Sequence, residues 1–209
     1  MANRSSVGFG LRPIGKVGQN RDAQGLSEYS VAASPTIIYF NDAVEAANTG
    51  TITVAAAGDK LLGSLNGAFY TDPTTQKPTW RNYVPSVAAS DIVAFVSDDP
   101  YERFEIRSNN TGASQQTDVF NNANITYLAG DSANFVSRTR LNDATLTTSS
   151  AQLQVLGATR DTGDNLITQS HVVWVVRINE HQFLSATGCL LYTSPSPRDR
   201  TRSRMPSSA

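Results

Sequence analysis

The side chains that carry most enzyme chemistry are sparse in this chain. Its only two histidines, His171 and His181, stand ten positions apart and match neither His-x-His nor His-x-x-x-His spacing. With Cys189 as the single cysteine, the donor set argues against zinc and copper sites. No Gly-x-Ser-x-Gly elbow presents a serine nucleophile, and neither a phosphate loop nor a dinucleotide fingerprint is present. Carboxylates cluster at Asp98-Asp99 and at Asp161 and Asp164 beside Asn165. A glycosidase would need two carboxylates facing each other across a cleft, which spacing alone does not establish. Oxygen ligation of calcium by Asp161-Thr-Gly-Asp-Asn165 lacks the EF-hand spacing and its terminal Glu, so these residues read first as turn formers. The expectation is a protein that is not an enzyme and holds neither cofactor nor metal.

A different chemistry is suggested by the run from Tyr70 to Pro85, which carries three prolines and the aromatics Tyr70, Trp80 and Tyr83. Loops as long as Asp72–Ser90 inside a compact domain are usually functional or mobile. Trp80 and Tyr83 on a proline-stiffened loop suit a contact surface, since aromatics anchor interfaces. The alternative is a lid that closes one end of the domain with Trp80 buried.

What must position these residues follows from composition. The 209 residues hold 17 Lys and Arg against 18 Asp and Glu, a formal charge of −1, with only 17% charged residues. Such polarity, drawn from Thr, Ser, Asn and Gln, suits strands better than salt-bridged helices. The near-neutral balance argues against a nucleic-acid binder working by phosphate neutralisation. No apolar run reaches the length of a membrane span, and the N-terminus lacks the apolar core of a signal peptide, so no membrane association is expected.

The last 21 residues, CLLYTSPSPRDRTRSRMPSSA, change character abruptly. Over its whole length this tail, 189–209, resembles one translated frame of a transposase-type sequencing adapter, with Arg200-Thr201-Arg202 in the place of a sample index. The resemblance implies that the tail is foreign to the natural protein. The alternative is a basic, Pro/Ser-rich disordered tail that binds nucleic acid through Arg198, Arg200, Arg202 and Arg204. Without the tail, residues 1–188 hold 13 basic and 17 acidic side chains, a net −4, and no thiol.

Three segments are expected. Residues 1–35 read as an extended N-terminal arm with a local charge of +2, glycine-rich and without periodicity, in which Phe9, Leu11, Ile14 and Val17 are spaced apolar residues able to pin it to a surface. Residues 36–184 read as an all-β domain, a compact antiparallel barrel or sandwich of jelly-roll-like character. Residues 185–209 read as disordered. Strands are expected at Thr36–Phe40, Ala43–Ala47, Thr51–Ala55, Leu61–Tyr70, Ile92–Ser97, Arg103–Ser108, Ile125–Leu128, Ala133–Thr139, Gln152–Ala158 and His171–Asn179, with turn residues between most of them. Asn66-Gly67 fits either a hairpin tip or a bulge. One short helix is expected at Thr117–Ala123. Alternation places Phe104 and Ile106 in the core with Arg103, Glu105 and Arg107 on a wet face, whereas Val172–Ile178, apolar on both sides except for Arg177, reads as a central strand covered on both faces.

Three stretches carry a further likeness: MANRSSVGFGLRPIGKVGQN at Met1–Asn20, GSLNGAFYTDPTTQKP at Gly63–Pro78, and INEH at Ile178–His181. The chain resembles small virion structural proteins of marine tailed phages, most of all capsid decoration, or cement, proteins, over nearly all of residues 1–184. This resemblance implies a protein that binds the outside of the capsid shell, as a homo-oligomer or in multiple copies, with the major capsid protein as partner and the virion as its place. The candidate contact residues are then Arg4, Phe9, Leu11, Arg12, Ile14 and Lys16 in the arm, with Trp80 and Tyr83 in the loop. A tail or receptor-binding module that contacts a surface glycan through Trp80 and Tyr83 is the alternative.

Overall fold

A computed structural model describes residues 7–17, 25–110, 114–160 and 165–184. Among them the chain is all-β and antiparallel, and it builds a sandwich-like pair of sheets rather than a closed barrel. The strands are β1 (Arg12–Lys16), β2 (Ser27–Ser30), β3 (Ala43–Ala46), β4 (Ile52–Val54), β5 (Gly63–Thr71), β6 (Pro78–Arg81), β7 (Val93–Ser97), β8 (Glu102–Arg107), β9 (Asn122–Ala123), β10 (Ile125–Thr126), β11 (Arg140–Leu141), β12 (Leu153–Ala158) and β13 (Val173–Ile178). Sheet I runs β1-β8-β13-β12-β9, and sheet II runs β2-β7-β5-β3-β4 with β6 added to β5. Strands β10 and β11 form a separate pair. No described helix is long and apolar enough to cross a membrane.

Period-two alternation generates two cores. Phe104 and Ile106 of β8, Val155 of β12, and Trp174, Val176 and Ile178 of β13 fill the first. Leu65, Ala68 and Tyr70 of β5, with Ala94 and Val96 of β7, fill the second. Adjacent residues on β3 divide between them, since Ala43 enters the first core and Val44 the second; Leu61 and Leu62 divide in the same way. This splitting follows from the opposite directions of successive side chains on extended backbone.

The predicted arm is corrected. Leu11 is fully buried in the first core, and its amide donates to the Asn41 carbonyl at 2.8 Å while its own carbonyl accepts from Ser64 Oγ at 2.5 Å. Strand β1 pairs with β8, and β2 pairs with β7. Both lie on sheet edges, where Pro13 and a register shift at Gly15 are tolerated, so the weak local pattern conceals real strands. Gly10 shows why the approach needs glycine: its φ is +75°, and a Cβ there would lie 2.1 Å from the Asn41 carbonyl oxygen.

Other expectations shift as well. The predicted helix is a single 3-10 turn, Gln116–Asp118, followed by β9; the Asp118 carboxylate accepts from the Gln115 amide at 2.6 Å and closes the turn. Thr36–Phe40 and Ala133–Thr139 form only single bridges, Ile38 to Val84 and Phe40 to Val136. Asn66-Gly67 is a bulge, with the β5–β7 register shifting between Leu65 and Gly67. Strand β13 is central in its sheet, but Val173 and Val175 are only half-buried on its outer side. Conversely, the supposedly wet side of β8 loses Glu105 to burial under its partners Arg12 and Thr159.

Candidate functional site

The long loop folds as a hairpin. Asp72 accepts from the amides of Thr74 and Thr75 at 2.8 and 3.2 Å, and its amide donates to the Lys77 carbonyl at 3.0 Å, which turns the chain back along β5. Pro78 then opens β6, a position an edge strand accepts because its outer amides face away from the ladder. In this register Trp80 stands opposite Phe69. The indole lies over Gly67, where a Cβ would come 2.5 Å from Trp80 Cζ2, and packs against Phe95 with ring centroids 5.0 Å apart at 54°. Trp80 remains 51% exposed and Phe69 44% exposed. The outer face of sheet II therefore presents a rigid aromatic cluster, with one large ring held by backbone from below and by a second ring from the side.

Trp80 and Tyr83 part company three residues later. Tyr83 is buried and stacks on Phe135 at 3.9 Å with the rings 4° apart, so it belongs to the interior of the protein. Arg81 lies between the two roles. Its Nε donates to the Tyr70 hydroxyl at 3.0 Å, a bond that raises the guanidinium pKa, and the group lies 5.7 Å from the Tyr83 ring centroid. The exposure of Trp80 rules out the lid with a buried Trp80, and the burial of Tyr83 withdraws it as a contact residue.

The arm candidates do not join this cluster. Phe9 is half-buried beneath the guanidinium groups of Arg12 and Arg107, at 4.9 and 5.7 Å from its ring centroid. Leu11 lies in the core and is withdrawn as a contact residue. Arg12 is bound to Glu105 and Lys16 to Asp99, and that bond raises the Lys16 pKa. Ile14 is 38% exposed on β1. Arg4 lies outside the described residues. Phe69 and Phe95 were missed as site residues, although each occupies an outward position of a predicted strand and alternation identifies them.

The polar clusters have structural partners. Asp98 accepts from Ser27 Oγ at 2.9 Å and from the Tyr29 hydroxyl at 2.5 Å; burial, followed by that carboxylate, raises the Tyr29 pKa. Ser108 is fully buried and donates directly to Asp143, with no imidazole between them, and burial raises the Asp143 pKa. His181 is buried, which lowers its pKa, and its Nδ1 accepts from the Phe183 amide at 3.1 Å. Among the described residues no three His, Cys, Asp or Glu side chains are grouped to hold a metal ion, and Asp161 and Asp164 lie outside them.

No family model, curated protein or solved structure matches this chain. The aromatic cluster is thus the site that geometry singles out. Three large rings on a hydrogen-bonded sheet need no ordering to bind, which removes part of the entropic cost of association. Their chemistry is that of contact, through apolar area and ring faces, and they supply no acid, base or nucleophile.

Proposed function

We propose that this chain is a non-enzymatic virion structural protein of a tailed phage that binds the outside of the capsid shell and stabilises it. The observation that carries the reading is the cluster of exposed Trp80 and Phe69, opposite each other on adjacent strands, with Phe95 packed against the indole, which has the make-up of an interface anchor. The resemblance of Met1–Asn20, Gly63–Pro78 and Ile178–His181 to decoration proteins supplies the partner, the major capsid protein, and the many-copy arrangement. The attachment mode differs from an arm that orders on binding, because the described residues of 1–35 pair within their own chain. Attachment is assigned instead to the outer face of sheet II. The test is co-sedimentation with shells of the encoding phage stripped of this protein. Trp80→Ala and Phe69→Ala should each weaken binding by about tenfold or more, the scale of an interface hot spot; full binding by both variants would refute the assignment.

A second reading rests on the same ring. A half-exposed indole held rigid from below suits stacking on a sugar face, as a receptor-binding module would use it. Saturable quenching of Trp80 fluorescence by host surface glycan, without binding to shells, is the outcome that selects this reading.

A further inference from the structure

A second surface, on sheet I, is built for a different kind of contact and does not rest on the attachment reading above. Strand β12 pairs with β13 from Leu153 to Ala158, but on its other side β9 reaches only Leu153 and Gln154. The backbone of Phe120 and Asn121 continues the pairing at Val155 and stops there. Among the described residues no strand pairs with Leu156, Gly157 and Ala158 on that side. Beside this open edge lies a groove of about 730 Å³. Leu156, Val175, Val119 and Ile167 give it an apolar floor, and Arg103 and Arg160 line it with positive charge.

No carboxylate lines the groove among the described residues. The acidic neighbours of Arg103 on β8 are already held, Glu102 by the Gly15 amide and Glu105 by Arg12 and Thr159. Among the described residues Arg103 Nε is buried and has no acceptor, in contrast to Arg177, whose Nε donates to Gln154 at 2.7 Å. A buried guanidinium N–H without an acceptor carries a desolvation cost that a carboxylate oxygen relieves, and the planar fork of arginine suits a carboxylate in two-point contact.

We propose that this groove binds an extended acidic peptide segment of a partner protein, which adds to the edge of β12 and sets a carboxylate on Arg103. The unpaired edge supplies backbone hydrogen bonds, the apolar floor takes alternate side chains, and the arginines select the charge. Gly157 makes the proposal testable without disturbing the fold, because a Cβ there meets nothing within 4 Å. A side chain at this position projects into open space beside the groove instead of into the core.

The experiment is fluorescence anisotropy on the full chain with a fluorescein-labelled hexapeptide of alternating Asp and Leu, and with the same peptide carrying Asn for Asp. The Asp peptide should bind about tenfold or more tightly than the Asn peptide, the scale of one charge-assisted hydrogen bond. Gly157→Phe and Arg103→Gln should each lose that binding with unchanged far-UV circular dichroism, and Lys77→Gln, an exposed turn position between β5 and β6, should retain it. Should Gly157→Phe fail to fold, Arg103→Gln and the paired peptides still decide the question. Equal binding of the two peptides, no binding of either, or full binding by a folded Arg103→Gln protein would overturn the proposal.

Discussion

Asp42 shows how a single residue ties stability to pH. Its carboxylate is fully buried, and burial raises its pKa to about 6 despite hydrogen bonds from the Tyr39 amide at 2.8 Å and from Thr139 Oγ1 at 3.5 Å. In the unfolded chain it ionises near 3.8. Between about pH 4 and pH 6 the folded state keeps a proton that the unfolded state has released, so stability falls as pH rises through this window and levels off above it. The shift corresponds to about 3 kcal/mol. Asp42→Asn lacks this dependence, so the stability difference between wild type and variant, from urea unfolding, should move against wild type by about 2 kcal/mol of that total between pH 4 and pH 6.5. A difference independent of pH would show that Asp42 does not titrate in this range. Nothing in the local sequence announces this group: its hydrogen-bonding partners Ser137 and Thr139 lie almost a hundred residues away.

At the scale of elements, the strands legible in the sequence are those whose alternation is set by their own burial. Strands β8, β12 and β13 were read within two residues, because Phe104, Ile106, Val155, Trp174 and Val176 mark their inner faces. Strands β1 and β2 were hidden because an edge strand uses few apolar residues and takes its hydrogen bonds from a distant partner, β8 or β7. Strand β6 was hidden by Pro78 and by a turn that Asp72 organises through backbone contacts. The site was half legible. Trp80 stood out by type, whereas its support from Gly67 and Phe95 depends on a bulge and a sheet register. The buried role of Leu11 gives this scale its prediction. Leu11→Ala should cost about 2–5 kcal/mol, the range for a fully buried leucine, as measured by chemical unfolding. A cost below 1 kcal/mol would restore the reading of residues 1–35 as a dispensable arm.

At the scale of the molecule, the two sheets are joined by buried polar and apolar ties. Gln152 is fully buried; its amide donates to the carbonyls of Ala56 and Asp59, both at 2.8 Å, and its oxygen accepts from the Ile125 amide at 3.0 Å. The Leu61 amide donates to Glu180 at 3.0 Å, which joins the segment before β5 to the end of β13. A body tied in this way, with its rings exposed on sheet II and its arginine-lined groove on sheet I, has two faces of different chemistry, one apolar and aromatic and the other cationic. The proposed attachment to a capsid in many copies is tested most directly by absolute quantitation of this chain against the major capsid protein in purified virions of the phage to which the proposal assigns it. A molar ratio of the same order as the capsid protein is the predicted result; a ratio far below it, or absence from the virion, would contradict the decoration role.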